Sequence, residues 1–157
     1  MIIATATERD LPELLELECL GFAEQERWSA AAWRGELVAE HRLVLVIREG
    51  TGVSAVACFG TLAETAELLR IVVHPSRARQ GLARRLVAQG QEWAEACGAE
   101  RMLLEVRYDN AAALGLYQEA GFVPIARRAG YYGAGRDAVV MEGRLRRAEP
   151  ALAGWAS

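Results

Sequence analysis

In the apolar stretch from Leu103 to Phe122, three polar side chains could do chemistry: Glu105, Asn110 and Tyr117. Glu105 falls between Leu104 and Val106 in a strand-like run. There a carboxylate either points to solvent or is held in a cleft, where it can accept a proton. Asn110, the only asparagine, stands where a helix N-cap belongs. Tyr117 comes seven positions later, two turns on and close to the same helix face, and its hydroxyl can donate. The residues alone equally allow an edge-facing glutamate, a plain cap and a core tyrosine. A second feature is the turn Arg79-Gln-Gly-Leu-Ala83 ahead of an amphipathic helix. A glycine turn that opens a helix aims backbone N–H groups and the positive end of the dipole at one point, which suits a phosphate. Arg77, Arg79, Arg84 and Arg85 would add charge; the alternative is a solvated basic helix start.

Composition removes several other chemistries. All 18 basic residues are arginine. Without lysine there is no P-loop amine, no kinase ATP lysine and no Schiff base. GxGxxG is absent as well. The net charge of −3 gives no whole-molecule positive field for nucleic acid. Cys19, Cys58 and Cys97 lie far apart, without CxxC, and the two histidines, His41 and His74, offer no metal-ligand spacing. The expectation is therefore no metal, with the cysteines as core thiols. No run resembles a signal peptide or approaches a membrane span of about 18 apolar residues, so the expected setting is reduced and cytosolic, with no membrane partner.

The elements that must position these residues can be read from periodicity. At 157 residues, 52% hydrophobic and 25% charged, one globular domain is expected. Ile2 to Ala6 reads as a strand. Thr7 to Asp10 fits a capping box ahead of a helix with Pro12 in its first turn and a stripe of Leu11, Leu14, Leu15, Leu17 and Cys19 or Leu20. A second helix starts at Ser29 and runs through Trp33 and Leu37, with Trp28 and Trp33 as core. Leu43–Arg48 and Val53–Thr61 flank a glycine-containing hairpin turn, and Leu68–Val73 reads as a strand covered on both faces. A helix through Leu82, Leu86, Val87 and Trp93 ends at Gly98. The strand Met102–Val106, a helix from Asn110 to Gly121, and the strands Phe122–Ala126 and Ala138–Met141 complete the order β-α-α-β-β-β-α-β-α-β-β, a mixed α/β layer structure. The domain is expected to span 1–145, and Arg146–Ser157 to be a loose tail anchored at most by Trp155.

The block from Leu68 to Phe122 resembles the core of the GNAT superfamily of acetyl-CoA-dependent N-acetyltransferases. Arg79-Gln-Gly-Leu-Ala83 is similar to its pyrophosphate loop, Q/R-x-x-G-x-G/A, with Ala78 at the first position. Leu104–Phe122 is closer to one branch, the RimI-type ribosomal-protein-alanine N-acetyltransferases. Phe22 with Trp28-Ser29, and Arg128-Ala-Gly-Tyr-Tyr132, resemble that branch's aromatic–Pro–Trp–Ser and arginine–tyrosine–tyrosine segments, although Arg27 replaces the proline. The likeness covers about Ile2 to Met141 and implies a central sheet of about six or seven strands flanked by about four helices.

The resemblance also implies roles. Glu105 would be the base for an α-ammonium and Tyr117 the acid for the coenzyme A sulfur. Ile71, Val72 and Val73 would hold the acetyl and pantetheine portions through their backbone, the Val73 N–H serving the oxyanion. The N–H groups of Arg79, Gln80, Gly81, Leu82, Ala83 and Arg84 would bind the pyrophosphate, and Asn110 the cofactor arm. Arg70, Arg128, Tyr131 and Tyr132 would read the residues after a small N-terminal one, the arginines favouring acidic neighbours. The acceptor implied is the alanine N-terminus of a small-subunit ribosomal protein. Two other readings stay open: acetylation of a small free amine, and a coenzyme A-binding module without turnover.

Overall fold

The computed structural model describes residues 1–133 and 135–146. In it the chain runs β1 (Ile2–Thr5), α1 (Leu11–Gly21), α2 (Ala30–Val38), β2 (Arg42–Glu49), β3 (Gly52–Leu62), β4 (Thr65–Val73), α3 (Leu82–Ala96), β5 (Arg101–Arg107), α4 (Ala111–Glu119), β6 (Phe122–Arg128) and β7 (Ala138–Arg144). The strands form one mixed seven-stranded sheet in the order β1-β2-β3-β4-β5-β7-β6. The expected tail, Trp155 included, lies outside the described residues beyond Arg146.

Period-2 alternation in β2 and β3 decides the layering. Leu45, Ile47, Ala55, Ala57 and Phe59 join α3 residues Leu82, Leu86 and Val87 in one core. Val44, Val46, Val56 and Cys58 face the other way, against Leu11, Leu14, Leu17 and Trp33 of α1 and α2. α3 lies close to the sheet because Gly90 faces Phe59: a Cβ there would lie 2.2 Å from the ring. Alanine is a better helix former than glycine, but a rigid ring cannot yield that distance. Gly90→Ala is therefore expected to destabilise the fold by about 1–3 kcal/mol in urea unfolding, and an unchanged midpoint would show that the helix can slide away.

The stripe on α1 differs from the expected one. Cys19 and Leu20 are exposed, and the buried face is Leu11, Leu14, Leu17 and Glu18. Position 18 continues the helical period from Leu11 and Leu14, and only its charge hid it. Cys97 at the end of α3 is exposed too, so of the three free cysteines only Cys58 is a core thiol. Its apolar surroundings push that thiol's pKa well up, which makes it a poor nucleophile.

One irregularity opens the sheet. β4 pairs with β5, in parallel, only from Thr65↔Arg101 to Glu67↔Leu103. In the β3–β4 register Cys58 faces Arg70 and Phe59 faces Leu68, so Leu69 is an extra, bulged residue on β4. β5 stays with β7 along its whole length. Beyond Leu68 and Leu104 the two strands therefore diverge. Leu68 and Val72 are buried, whereas Leu69, Arg70, Ile71 and Val73 are half-buried. The strand is covered on both faces as expected, Leu68 packing with α3 and Val72 with α1, and its half-buried residues border the gap at its edge.

Candidate active site

The gap is a cavity of about 720 Å³. One end is walled by the loop into α3. Arg79 and Gly81 both have left-handed backbones, φ 63° and 79°. Gly81 is the α3 N-cap and supplies no side-chain bond to the helix. The first N–H groups of α3, on Leu82, Ala83 and Arg84, thus lack an intrahelical partner, and all three residues line the cavity. A Cβ on Gly81 would meet nothing within 4 Å, so the space beside it is open. An anion fits this cradle. Two of the four arginines already hold carboxylates, Arg77 that of Glu49 and Arg84 that of Glu119. Gln80 accepts a hydrogen bond from Arg77 at 3.4 Å and does not line the cavity.

The middle of the cavity is set by the diverging strands and α4. Ile71, Val73, Glu105, Asn110 and Tyr117 all line it; the Val72 side chain points to the opposite core. Along the gap β4 stays paired with β3 but has no strand partner on its other edge among the described residues, so that edge is open to an extended polar ligand. Asn110 Oδ1 accepts from the Ala113 N–H at 3.1 Å, which starts α4, and its amide NH2 makes no hydrogen bond among the described residues. Tyr117 is buried edge-on to Phe122, 6.0 Å between centroids. Its hydroxyl has no hydrogen-bond partner among the described residues. Burial, helped by nearby Tyr132, pushes its pKa up to about 12, so it stays a donor at any ordinary pH.

Glu105 is not free. Its Oε1 accepts from Arg128 Nη1 at 2.5 Å, and the proximity of this carboxylate to the Tyr131 hydroxyl, with partial burial, raises the Tyr131 pKa. Arg128 also lies over the Tyr131 ring at 4.5 Å, and Tyr131 meets Tyr132 edge-on at 4.9 Å. Only Tyr132 of these three lines the cavity. Burial raises its pKa, as do Tyr131, Glu105 and Glu26. Asp137 fixes this segment by accepting from the Gly130 N–H at 2.9 Å and from Arg127 Nε at 2.8 Å.

The far wall holds Gly21, Phe22, Glu26 and Arg70. Arg70 reaches the cavity as expected, but its guanidinium is held. Nε donates to Glu18 Oε1 at 2.9 Å, and Nη2 to Glu18 Oε2 and to the Glu26 carbonyl, both at 2.6 Å. With Arg70 bound to Glu18 and Arg128 to Glu105, the expected preference for acidic neighbours loses its basis. Sequence reasoning missed Glu18. The signal that could have found it is an acidic residue on the buried period of α1 facing an arginine in an apolar strand.

Comparison with known proteins bears on this cavity. Residues 9–122 match the model of the acetyltransferase (GNAT) family. The chain belongs to the GNAT family. It is 33% identical over 144 residues to the N-alpha-acetyltransferase RimI of Mycobacterium tuberculosis, covering 88% of this chain and 89% of that one. It is 32% identical over 146 residues to the ribosomal protein bS18-alanine N-acetyltransferase of Escherichia coli, covering 88% and 94%. An uncharacterized Mycobacterium leprae protein shares 32% over 146 residues, and the chain spans 40% of its length. Among solved structures, the Escherichia coli ribosomal-protein-S18-alanine N-acetyltransferase superposes with a TM-score of 0.85 at 29% identity, covering 96% of this chain and 97% of that one.

As a GNAT protein this chain is an acyltransferase that uses acetyl-CoA, and the sheet of seven strands with four helices is the GNAT fold. The divergence of β4 from β5 and the N-terminus of α3 are thus the two features of the fold that meet in the cavity. Among the described residues no helix is long and apolar enough to cross a membrane.

Proposed function

We propose that this GNAT protein acetylates the N-terminal α-amine of another protein, the alanine end of a small-subunit ribosomal protein. The observation that carries the reading is that Glu105 shares its cavity with Phe22 and Glu26 of one segment and Tyr132 of another, whose Arg128 it binds. A small amine needs neither wall; an extended peptide end needs both. The names of the Escherichia coli relatives point to the same acceptor, and that of the Mycobacterium tuberculosis relative to an α-amine.

Acetyl-CoA supplies the acetyl group as a thioester. The open β4 edge at Ile71, Val72 and Val73, the unpartnered N–H groups of α3 and the free Asn110 amide fit its amide-rich arm and pyrophosphate. Glu105 accepts the proton of the incoming α-ammonium, whose ordinary pKa is about 8, so the amine can attack. That ammonium has to share or displace Arg128. The Val73 N–H stabilises charge on the carbonyl oxygen. Tyr117 donates to the departing sulfur. No metal takes part in these steps.

The test is acetyl-CoA turnover against peptides beginning with alanine or other residues, peptides blocked at the N-terminus but carrying lysine, and free polyamines. Alanine-starting peptides are expected to be fastest. Faster turnover of blocked peptides or polyamines would replace this reading with a lysine-directed or small-amine one, and no turnover at all would favour a binding module.

The cofactor half has its own prediction. Gly81→Val introduces a side chain where the protein leaves room and forces a branched residue into φ 79°. The KM for acetyl-CoA is expected to rise about tenfold or more, with a smaller effect on acceptor KM. Unchanged acetyl-CoA KM would remove the pyrophosphate from this loop.

A further inference from the structure

We infer that Glu18, on the opposite side of the sheet from α3 and α4, is a positioning residue for the acceptor. It holds the wall against which the incoming amine-bearing chain lies. The inference rests on the acceptor half of the cavity as assigned above.

Glu18 is fully buried, and both oxygens are used twice. Oε1 accepts from Trp33 Nε1 at 3.2 Å and from Arg70 Nε at 2.9 Å; Oε2 accepts from the Trp28 N–H at 3.1 Å and from Arg70 Nη2 at 2.6 Å. The Arg70 side chain is 12% exposed, so the pair is nearly dry. A buried carboxylate tolerates this only because every lone pair has a donor.

Glu18 and Arg70 together grip the segment from Phe22 to Trp28 at three points. The guanidinium lies 3.4 Å from the Phe22 ring centroid and 5.1 Å from that of Trp28. Arg70 binds the Glu26 carbonyl, and Glu18 binds the Trp28 N–H. The segment has little regular structure of its own beyond one three-residue turn at Glu24–Glu26, whose N-cap side chain makes no bond. At its start Gly21 allows α1 to close on β4, since a Cβ there would lie 2.7 Å from Val72 Cγ1. Phe22 and Glu26 line the cavity, so a shift of the segment changes the width of the acceptor side. The cofactor cradle at Gly81 shares none of these contacts.

The chemistry of substitution is asymmetric. Glu18→Gln keeps the volume but turns one accepting oxygen into an NH2, which then opposes an Arg70 N–H and a tryptophan N–H, donor against donor. Arg70 loses one arm of the fork and with it the fixed path to Glu26. Glu18→Gln with Arg70→Met removes both charges and keeps an unbranched chain on Phe22; the glutamine oxygen accepts from one tryptophan N–H, and its NH2 faces the other. The double variant relieves the unpaired charge but does not restore the link to Glu26.

The experiment measures both variants, with steady-state kinetics in each substrate and thermal unfolding, using the best acceptor from the panel above, peptide or small amine. Acceptor KM is expected to rise about tenfold in both, with kcat and acetyl-CoA KM within about twofold of wild type, and with the double variant regaining part of any lost thermal stability. Should Glu18→Gln fail to fold, Glu18→Asp with Arg70 intact carries the test, since it keeps the charge but shortens the reach to Arg70 and Trp28, and acceptor KM is expected to rise there too. Acceptor KM at the wild-type value in a folded variant overturns the inference, as does an equal rise in acetyl-CoA KM, which would mark Glu18 as a general structural residue. A best acceptor that is a small amine overturns the protein-acceptor reading and leaves this measurement valid.

Discussion

Glu105→Gln is expected to lower kcat at neutral pH by about 10²–10⁴-fold while leaving acetyl-CoA affinity unchanged. The amide fills the same volume and its oxygen can still accept from Arg128, so the wall of the cavity survives. What it cannot do is take a proton from an ammonium. This gives the loss a pH signature. Below pH 8 most of the α-amine is charged and needs a base; above it a growing fraction arrives neutral, given an ordinary pKa of about 8. The deficit of the variant should therefore shrink as pH rises from 7 to about 9.5. A deficit that is constant over that range would mean that Glu105 orients the acceptor without moving its proton. An unchanged kcat would remove it from the reaction.

The pattern of what was legible in the sequence follows from the range of each interaction. Elements with strong local signals appear where expected: the Ser29 cap accepts from the Ala32 N–H at 3.1 Å, the Asn110 cap opens α4, and Gly98 takes a positive φ after α3. Local periodicity also places Glu105 and Tyr117 on adjacent elements, and both line one cavity. What a local reading cannot see is pairing across the sheet. The Leu69 bulge arises in the pairing of β4 with β3, and the loss of β4–β5 pairing comes beyond Glu67 and Leu103, residues far apart in the chain; together they create the gap. The partners of charged groups are equally non-local. Arg70 meets a carboxylate 52 positions away and Arg128 one 23 positions away. Apolar-stripe reasoning passed over Glu18 because it assigns the inside to hydrophobic side chains, a rule that fails when a buried charge is fully paired. The left-handed Arg79 had no sequence signal, since positive φ is read from glycine.

Tyr117→Phe is expected to lower kcat about 10- to 150-fold, with acetyl-CoA and acceptor KM nearly unchanged, since a hydrogen bond to a charged group contributes about 1.5–3 kcal/mol. This lies toward the lower end of what general acid catalysis can give, and the reason is in the site. Burial raises the Tyr117 pKa to about 12. A thiol has an ordinary pKa of about 8.5, so complete proton transfer from this phenol to a thiolate runs uphill by several kcal/mol. The hydroxyl therefore stabilises the developing negative charge on sulfur by donating a hydrogen bond, and the proton stays mainly on oxygen. The substitution is clean: the ring keeps its edge-on contact with Phe122, and no other hydrogen bond is lost among the described residues. Two measurements separate the cases. With chemistry rate-limiting, kcat of the wild type should show no alkaline fall attributable to Tyr117 up to about pH 10, since a group with a raised pKa remains protonated there. Thioesters with more acidic thiols, which leave without assistance, should narrow the gap between wild type and Tyr117→Phe. An equal gap for every leaving group, or no loss in kcat at all, would mean that Tyr117 only packs against Phe122.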